Sequence, residues 1–319
     1  MADASESVCR VCGAGEGQRF ETYGFAWLRC AGCESVTKIL TPAQYDALNP
    51  SYDPGAFLRS RSRDEVLSFL DIDDKTKLLD LTLSHWWHGD RSKADFLDVG
   101  CGMGGYLFAA KKLGLSVLGF EPSAEHSEVA REILELPVIT DYFTPAQADG
   151  RRFDLIMLSH VIEHIYDPAS FIKGLLSVLK PGGVLLITTP NTQSYIARLC
   201  GARWPMLRPV DHVTLLSSRA YAHFALPNSV SVHHRWSEFP FEFGATLSSA
   251  ARDWLRNRGK PGIPNNQGTA PSAETGVKQA ERRLPILLWA LTALSFPAHV
   301  LARLTGRQAC LVTTLVLER

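Results

Sequence analysis

From Ala94 to about Trp236 the chain alternates short apolar runs with stretches of helical character. The runs are Phe96–Val99, Ser116–Phe120, Pro137–Ile139, Phe153–Leu158, Val184–Thr188 and Val230–Trp236. Short continuous apolar runs separated by helical patterns predict buried strands joined by crossover helices, hence a largely parallel α/β sheet. The closing stretch "CLVTTLVLER" predicts a last strand. Upstream, residues 41–93 predict short helices, including Arg63–Leu70 and Lys75–His85. Residues 258–277 are rich in Gly, Pro, Asn and Ser and predict a loop. Residues 285–304 are strongly apolar and approach the length of a bilayer span. Pro285, Pro297 and His299 interrupt them, however, and a last strand in the same sheet would keep both helix ends on one side. A buried helix is therefore expected first and an interfacial one second, which leaves a peripheral membrane contact through 285–304 open. The expected organisation is a cysteine-rich segment over 1–40, a helical extension or lid over 41–93, and an α/β domain over 94–319 with the loop and apolar helix inserted at about 250–306.

Composition narrows the classes. The chain has 319 residues, with 33 Lys+Arg against 33 Asp+Glu, so the basic excess of a general nucleic-acid binder is missing. The first residues are polar and acidic and do not read as a secretory signal. Seven cysteines, four of them in a metal-like pattern, fit a reducing cytosol better than a disulfide framework. A cytoplasmic protein is expected, with membrane association left open by the apolar stretch.

The four cysteines are Cys9, Cys12, Cys30 and Cys33: two C-x2-C pairs separated by 17 residues. Each pair can place two thiolates on one tetrahedral ion, and two pairs close the shell, so a structural Zn2+ is expected. So short a segment can bury little by itself, and metal binding would help it fold, with packing expected to be separate from that of the α/β domain.

"FLDVGCGMGGYLFAAKKLG" reads as a buried strand, a glycine turn and an amphipathic helix. Gly100, Gly102 and Gly105 also satisfy the dinucleotide pattern, so the turn alone leaves an NAD-dependent oxidoreductase in play. Asp98 argues against it. A carboxylate opposes a pyrophosphate, whereas S-adenosylmethionine (SAM) carries an ammonium and a sulfonium that a carboxylate favours. Glu121 ends the next strand in "LGFEPS", where a carboxylate can accept hydrogen bonds from both ribose hydroxyls.

"FLDVGCGMGG", "GFEPS", "FDLIMLSHVIEHIYDP" and "LKPGGVLLITTPN" together resemble, in order and spacing, the successive motifs of class I SAM-dependent methyltransferases, most closely the ubiquinone-type group. The resemblance covers residues 94–236 and extends to the last strand. It implies a doubly wound, seven-stranded Rossmann-like sheet, mostly parallel, with the last strand antiparallel. It also implies that Gly100 and Gly102 line the methionine part of SAM and Glu121 holds the ribose. Ser159 and His160 would border the methionine end, and Tyr142 the adenine edge. Methyltransferases with a similar cysteine knuckle are common around sugar and secondary-metabolite pathways, so the expected acceptor is a small molecule, a sugar or a lipid-linked intermediate, methylated most readily at oxygen.

His160, Glu163 and His164 also spell H-x-x-E-H, an inverted zinc-protease signature. The following "DPASF" predicts an N-cap Asp167 with Pro168 at the first helical position, which leaves little helix to present a metal there. For proton removal from an acceptor hydroxyl, histidine has the right pKa. His164, after the fourth strand, and His212, in "RPVDHVTLLSS" after the fifth, are the candidate bases. A non-catalytic SAM-fold interaction protein with a zinc knuckle is the remaining alternative.

Overall fold

The computed structural model describes residues 8–48, 61–237, 301–302, 304–305 and 307–318. The expected loop over 258–277 and the apolar stretch 285–304, apart from three residues at its end, lie outside them. No helix among the described residues is long and apolar enough to cross a membrane.

Eleven strands among the described residues form two sheets. They are β1 Gly17–Thr22, β2 Phe25–Cys30, β3 Val36–Lys38, β4 Asp95–Val99, β5 Ser116–Phe120, β6 Val138–Ile139, β7 Phe153–Ser159, β8 Leu179–Pro190, β9 Thr214–Leu215, β10 Val230–Ser237 and β11 Cys310–Leu317. Seven of them form one sheet in the order β10-β11-β8-β7-β4-β5-β6. β8, β7, β4, β5 and β6 pair in parallel, while β11 runs antiparallel to both β8 and β10. This is the doubly wound, Rossmann-like sheet with a reversed last strand that the sequence motifs imply.

Seven α-helices lie among the described residues: α1 Pro42–Asp46, α2 Arg63–Phe69, α3 Ile72–Trp86, α4 Gly105–Lys112, α5 Ala124–Glu128, α6 Pro168–Ser177 and α7 Tyr195–Cys200. Side chains of a strand alternate between the two faces of its sheet. Accordingly Leu97, Ile156, Leu158, Leu185 and Ile187 join one core, while Phe96, Leu155, Met157, Val184 and Leu186 join the other. Both faces are buried, which is why these strands read as unbroken apolar runs. Local signals set the helix starts. Asp167 accepts a hydrogen bond from the Ser170 N–H at 3.1 Å ahead of Pro168, and Ser62 and Glu65 form a capping box.

The cysteine segment departs from expectation. β1, β2 and β3 pair antiparallel, and β3 then pairs with β9, with Val36 opposite Leu215 and Thr37 opposite Thr214. β9 lies beyond β8, so the small sheet is closed by a strand from the α/β part of the chain. Cys9, Val11, Leu28, Cys30 and Cys33 belong to the same core as Ile156, Leu158 and Ile187. The segment therefore does not have the separate core expected of it. Its strands are too few to bury a face alone, and β9 together with the flank of the large sheet supplies the missing cover.

Candidate functional site

Parallel strands β4, β5 and β7 lie side by side, so their carboxyl ends open on one edge, where doubly wound sheets bind ligands. Gly100 and Gly102 turn the chain out of β4 with φ of 71° and 52°, a region costly for other residues. The reasons for glycine differ. A Cβ at Gly100 would lie 2.5 Å from Val161 Cγ2, just after β7, whereas one at Gly102 would meet nothing within 4 Å. The first glycine thus packs the turn against β7, and the second leaves its face open. The N–H groups of Gly100 and Cys101 donate to the Phe120 carbonyl at 2.8 and 3.0 Å, tying the turn to β5.

Glu121 follows directly. One carboxylate oxygen accepts from the Gly102 N–H and the other from the Ser123 N–H, both at 2.8 Å, and His126 Nδ1 stands 3.9 Å away. Each oxygen keeps capacity for another donor, as ribose hydroxyls require. Asp98, next to last in β4, is 1% exposed, and neither carboxylate oxygen has a hydrogen-bond partner among the described residues. Burial, reinforced by the Glu121 charge and opposed by Lys75, pushes its carboxyl up to about 8. Such a group calls for a cation. The ammonium and sulfonium of SAM fit that demand, and a pyrophosphate does not. Ser159 ends β7 and accepts from Thr188 Oγ1 at 3.2 Å. Tyr142 lies beyond β6 and is 73% exposed, its N–H turned onto Asp141.

His160, at φ 54°, begins a second cluster. Its Nδ1 lies 3.0 Å from Glu163 Oε1, and Thr189 Oγ1 donates to Glu163 Oε2 at 3.1 Å. Glu163 is fully buried. Burial alone would raise its carboxyl, but the His160 hydrogen bond and the neighbouring imidazoles of His212 and His164 hold it below the usual range. Residues 162–164 form a single 3-10 turn, so H-x-x-E-H does not lie along an α-helix. Ligand atoms of Glu163, His164 and His212 nevertheless fall within 4.8 Å of one another.

His164 and His212 come together edge-to-face, with ring centroids 4.8 Å apart. His212 Nδ1 faces the Met206 carbonyl at 2.8 Å; a carbonyl only accepts, so the proton sits on Nδ1 and Nε2 is the basic nitrogen. Burial, against the pull of Glu163, lowers its pKa. His164 Nδ1 faces Asp211 Oδ2 at 3.0 Å and the Asp211 carbonyl at 3.3 Å, which fixes the same tautomer. Burial would depress His164, but the Asp211 carboxylate outweighs it and raises the pKa above the ordinary value. Asp211 is held low in turn, its burial offset by the His164 hydrogen bond. An imidazole backed by a carboxylate is a stronger, better-oriented base than one backed by a carbonyl. Sequence reasoning named both histidines, met Glu163 only as part of the H-x-x-E-H coincidence, and missed Asp211. The signal for Asp211 was its place directly before His212 in "VDHV".

The four cysteines also converge, with all sulfurs within 4.8 Å of one another. Cys9 and Cys33 Sγ are 3.7 Å apart and Cys12 and Cys30 Sγ 3.4 Å apart, too long for a disulfide. Tetrahedral thiolates at the usual zinc–sulfur length would stand about 3.8 Å apart. Tight turns shape both pairs: the Gly13 N–H donates to the Cys9 carbonyl at 2.8 Å and the Glu34 N–H to that of Cys30 at 3.1 Å. The residues present therefore fit a tetracysteine zinc site.

A family described as a methyltransferase domain matches residues 58–225, just over half of the chain. A ubiquinone biosynthesis O-methyltransferase of Cereibacter sphaeroides is 33% identical over 117 residues, covering 34% of this chain and 47% of that protein. One from Brucella melitensis is 29% identical over 172 residues, covering 51% of this chain and 67% of that protein. The chain thus spans about half the length of the first curated relatives it matches. Among solved structures, the plantazolicin methyltransferase BpumL in complex with a monoazolic desmethylPZN analog and SAH gives a TM-score of 0.45 at 15% identity, covering 80% of this chain and 86% of that one. With a family match across residues 58–225, the chain belongs to the methyltransferase domain family.

Proposed function

We propose that the protein is a SAM-dependent methyltransferase acting on a small-molecule, sugar or lipid-linked acceptor, most readily at a hydroxyl. The observation that carries this reading is Asp98, a buried carboxylate with no hydrogen-bond partner among the described residues, beside a glycine turn whose second glycine meets no described atom within 4 Å of an added Cβ. An NAD-dependent enzyme would set a pyrophosphate against that carboxylate. Asp98 would face the cationic methionine end, Glu121 the ribose, and Gly102 would let the ligand approach the backbone. Ser159 and His160 would border the methionine end, and Tyr142 the adenine edge.

Bound SAM would supply a methyl group on a sulfonium, open to in-line displacement, with the neutral thioether S-adenosylhomocysteine (SAH) leaving. The chain's own task is to place the acceptor and take its proton. His164 Nε2 accepts the hydroxyl proton as the oxygen–methyl bond forms, and Asp211 stabilises the imidazolium at Nδ1. His212, the weaker base, packs edge-on against His164 and completes the wall of the site. General-base assistance of this kind contributes roughly 10²–10⁴-fold, and alignment of the reacting atoms contributes the rest.

We also propose one structural zinc held by Cys9, Cys12, Cys30 and Cys33. A closed shell of four thiolates leaves no position for a reacting water, so this ion takes no part in methyl transfer. Metal analysis of protein purified without chelator should give one equivalent of zinc per chain, and less than half would contradict it. The catalytic reading is tested by incubating the full chain with SAM and a panel of phenols, sugars and lipid-linked intermediates. Acceptor-dependent SAH formation, with a product 14 Da heavier as expected for one added methylene unit, supports it. Tight SAM binding without turnover on any acceptor would favour the interaction-module alternative.

A further inference from the structure

We propose that Lys38 and Arg10, both carried by the cysteine segment, are positioning residues that hold the 209–214 chain so that Asp211 faces His164. This rests on the reading of His164 as the base.

Lys38 is fully buried, and no carboxylate lies within ion-pair distance of it among the described residues. Its Nζ donates to the carbonyls of Pro209 and Val210 at 3.0 and 2.5 Å and lies over the Phe25 ring, 3.8 Å from the centroid. A buried ammonium is costly, and an apolar side chain would close the sheet as well. What the ammonium adds is a grip on two consecutive carbonyls immediately before Asp211. Arg10 grips from the other side. Its guanidinium donates to the carbonyls of Lys38 and Val213 and, at 3.4 Å, to Thr214 Oγ1, and it lies 4.3 Å from the Tyr166 ring centroid. The Lys38 N–H also donates to the Val213 carbonyl at 2.9 Å, and the Val213 N–H to the Glu163 carbonyl at 2.8 Å.

The loop is thus pinned at Pro209, Val210, Val213 and Thr214, and the residues between the pins are Asp211 and His212. A shift of about 1 Å in Asp211 would break its 3.0 Å contact with His164. Both grips come from close to the cysteines: Arg10 follows Cys9 directly, and Lys38 lies five residues beyond Cys33 at the end of β3. The four-cysteine turn thereby shapes the loop that carries Asp211 and His212.

The test reads the hydrogen bond itself. In full-length, zinc-loaded protein with 15N-labelled histidine, the His164 Nδ1–H resonance is assigned by its loss in His164→Gln and followed for exchange with water. Lys38→Met should move it upfield and speed its exchange roughly tenfold. SAM affinity should stay within about twofold, because no contact to the glycine turn is removed. Arg10→Gln should act in the same direction and less strongly. A folded Lys38→Met protein whose resonance and exchange match the parent would overturn the proposal. If that variant does not fold, parental behaviour in Arg10→Gln overturns it equally. Failure of the base reading looks different: His164→Gln would keep its methyl-transfer rate while Lys38→Met still disturbed the resonance.

Discussion

The two halves of the site are built in opposite ways. The glycine-turn half comes from residues 98–123, contiguous in sequence, and its contacts run largely through main-chain N–H groups and one carboxylate. The imidazole half gathers His164, Asp211 and His212 from two loops, Lys38 from a second sheet and Arg10 from the turn beside Cys9. A half made from one strand–turn–helix–strand unit depends little on the rest of the molecule. A half assembled across 204 positions of sequence, from Arg10 to Thr214, depends on every element that pins it.

The largest effect should come from breaking what the two sheets share. Cys30→Ser would remove a ligand of the proposed zinc, and structural zinc supplies about 10–16 kcal/mol to small cysteine-based folds. With separate cores, residues 8–40 would melt first and leave the large sheet standing. Because Cys9, Cys30 and Cys33 pack in the same core as Ile156 and Ile187, the variant should instead lower the melting temperature of the large sheet as well, in one transition. Calorimetry resolving an early small transition beside an unchanged main one would show the halves to be independent after all.

Next come changes within each half, which should separate binding from turnover. His164→Gln should lower turnover by roughly 10²–10⁴-fold and leave SAM affinity nearly unchanged. His212→Ala should cost less turnover, since its Nδ1 partner is a carbonyl and not a carboxylate. The reverse ranking in steady-state kinetics would assign the base role to His212 instead. On the other side, Glu121→Ala should weaken SAM binding by roughly 2–4 kcal/mol through the loss of charge-assisted hydrogen bonds to ribose. It also frees the Gly102 and Ser123 N–H groups, so some loosening of the turn belongs to the same change. Unchanged affinity by calorimetry would remove Glu121 from the ribose.

How much of this was legible follows the same division. The strands at Phe96, Ser116 and Phe153 start within a residue of where their apolar runs begin, because buried parallel strands leave a continuous pattern; the antiparallel edge strand at Val230 also starts where its run begins. Asp98, Gly100, Gly102 and Glu121 could be named because the chemistry and the chain turn coincide locally. β9 is only two residues long and has no period to detect, so its pairing with β3 was invisible. The Asp211–His164 contact joins residues 47 apart, and a buried lysine at the end of β3 looks in the sequence like any solvent-facing one. The four cysteines were readable as a set by spacing, but not the core they share, since that depends on β9.

The last effect is a slope, small just above neutrality. Burial, only partly opposed by the Asp211 charge, pushes the Lys38 ammonium down to about 7. Between that value and its ordinary 10.5 the unfolded chain binds the extra proton, so stability should rise with pH across this window and be flat below it. The rise is about 1.4 kcal/mol per pH unit for one proton. Denaturant unfolding of parent and Lys38→Met should differ by this slope above neutrality. Parallel curves would place Lys38 in water and weaken its grip on the imidazole loop.

Calorimetric titration of SAM at slightly acidic pH, in two buffers of different ionisation enthalpy, tests the central claim most directly. Asp98, pushed up to about 8 by burial and the Glu121 charge, is protonated in the free protein below that value. A bound ammonium and sulfonium favour its ionised form, so one site per chain should fill with release of about one proton. Affinity should accordingly rise with pH up to that value, and Asp98→Asn should abolish the proton release. NAD should give no heat of binding. Saturable NAD binding with none for SAM would contradict the account at its base, and SAM binding without proton release would remove Asp98 from the site.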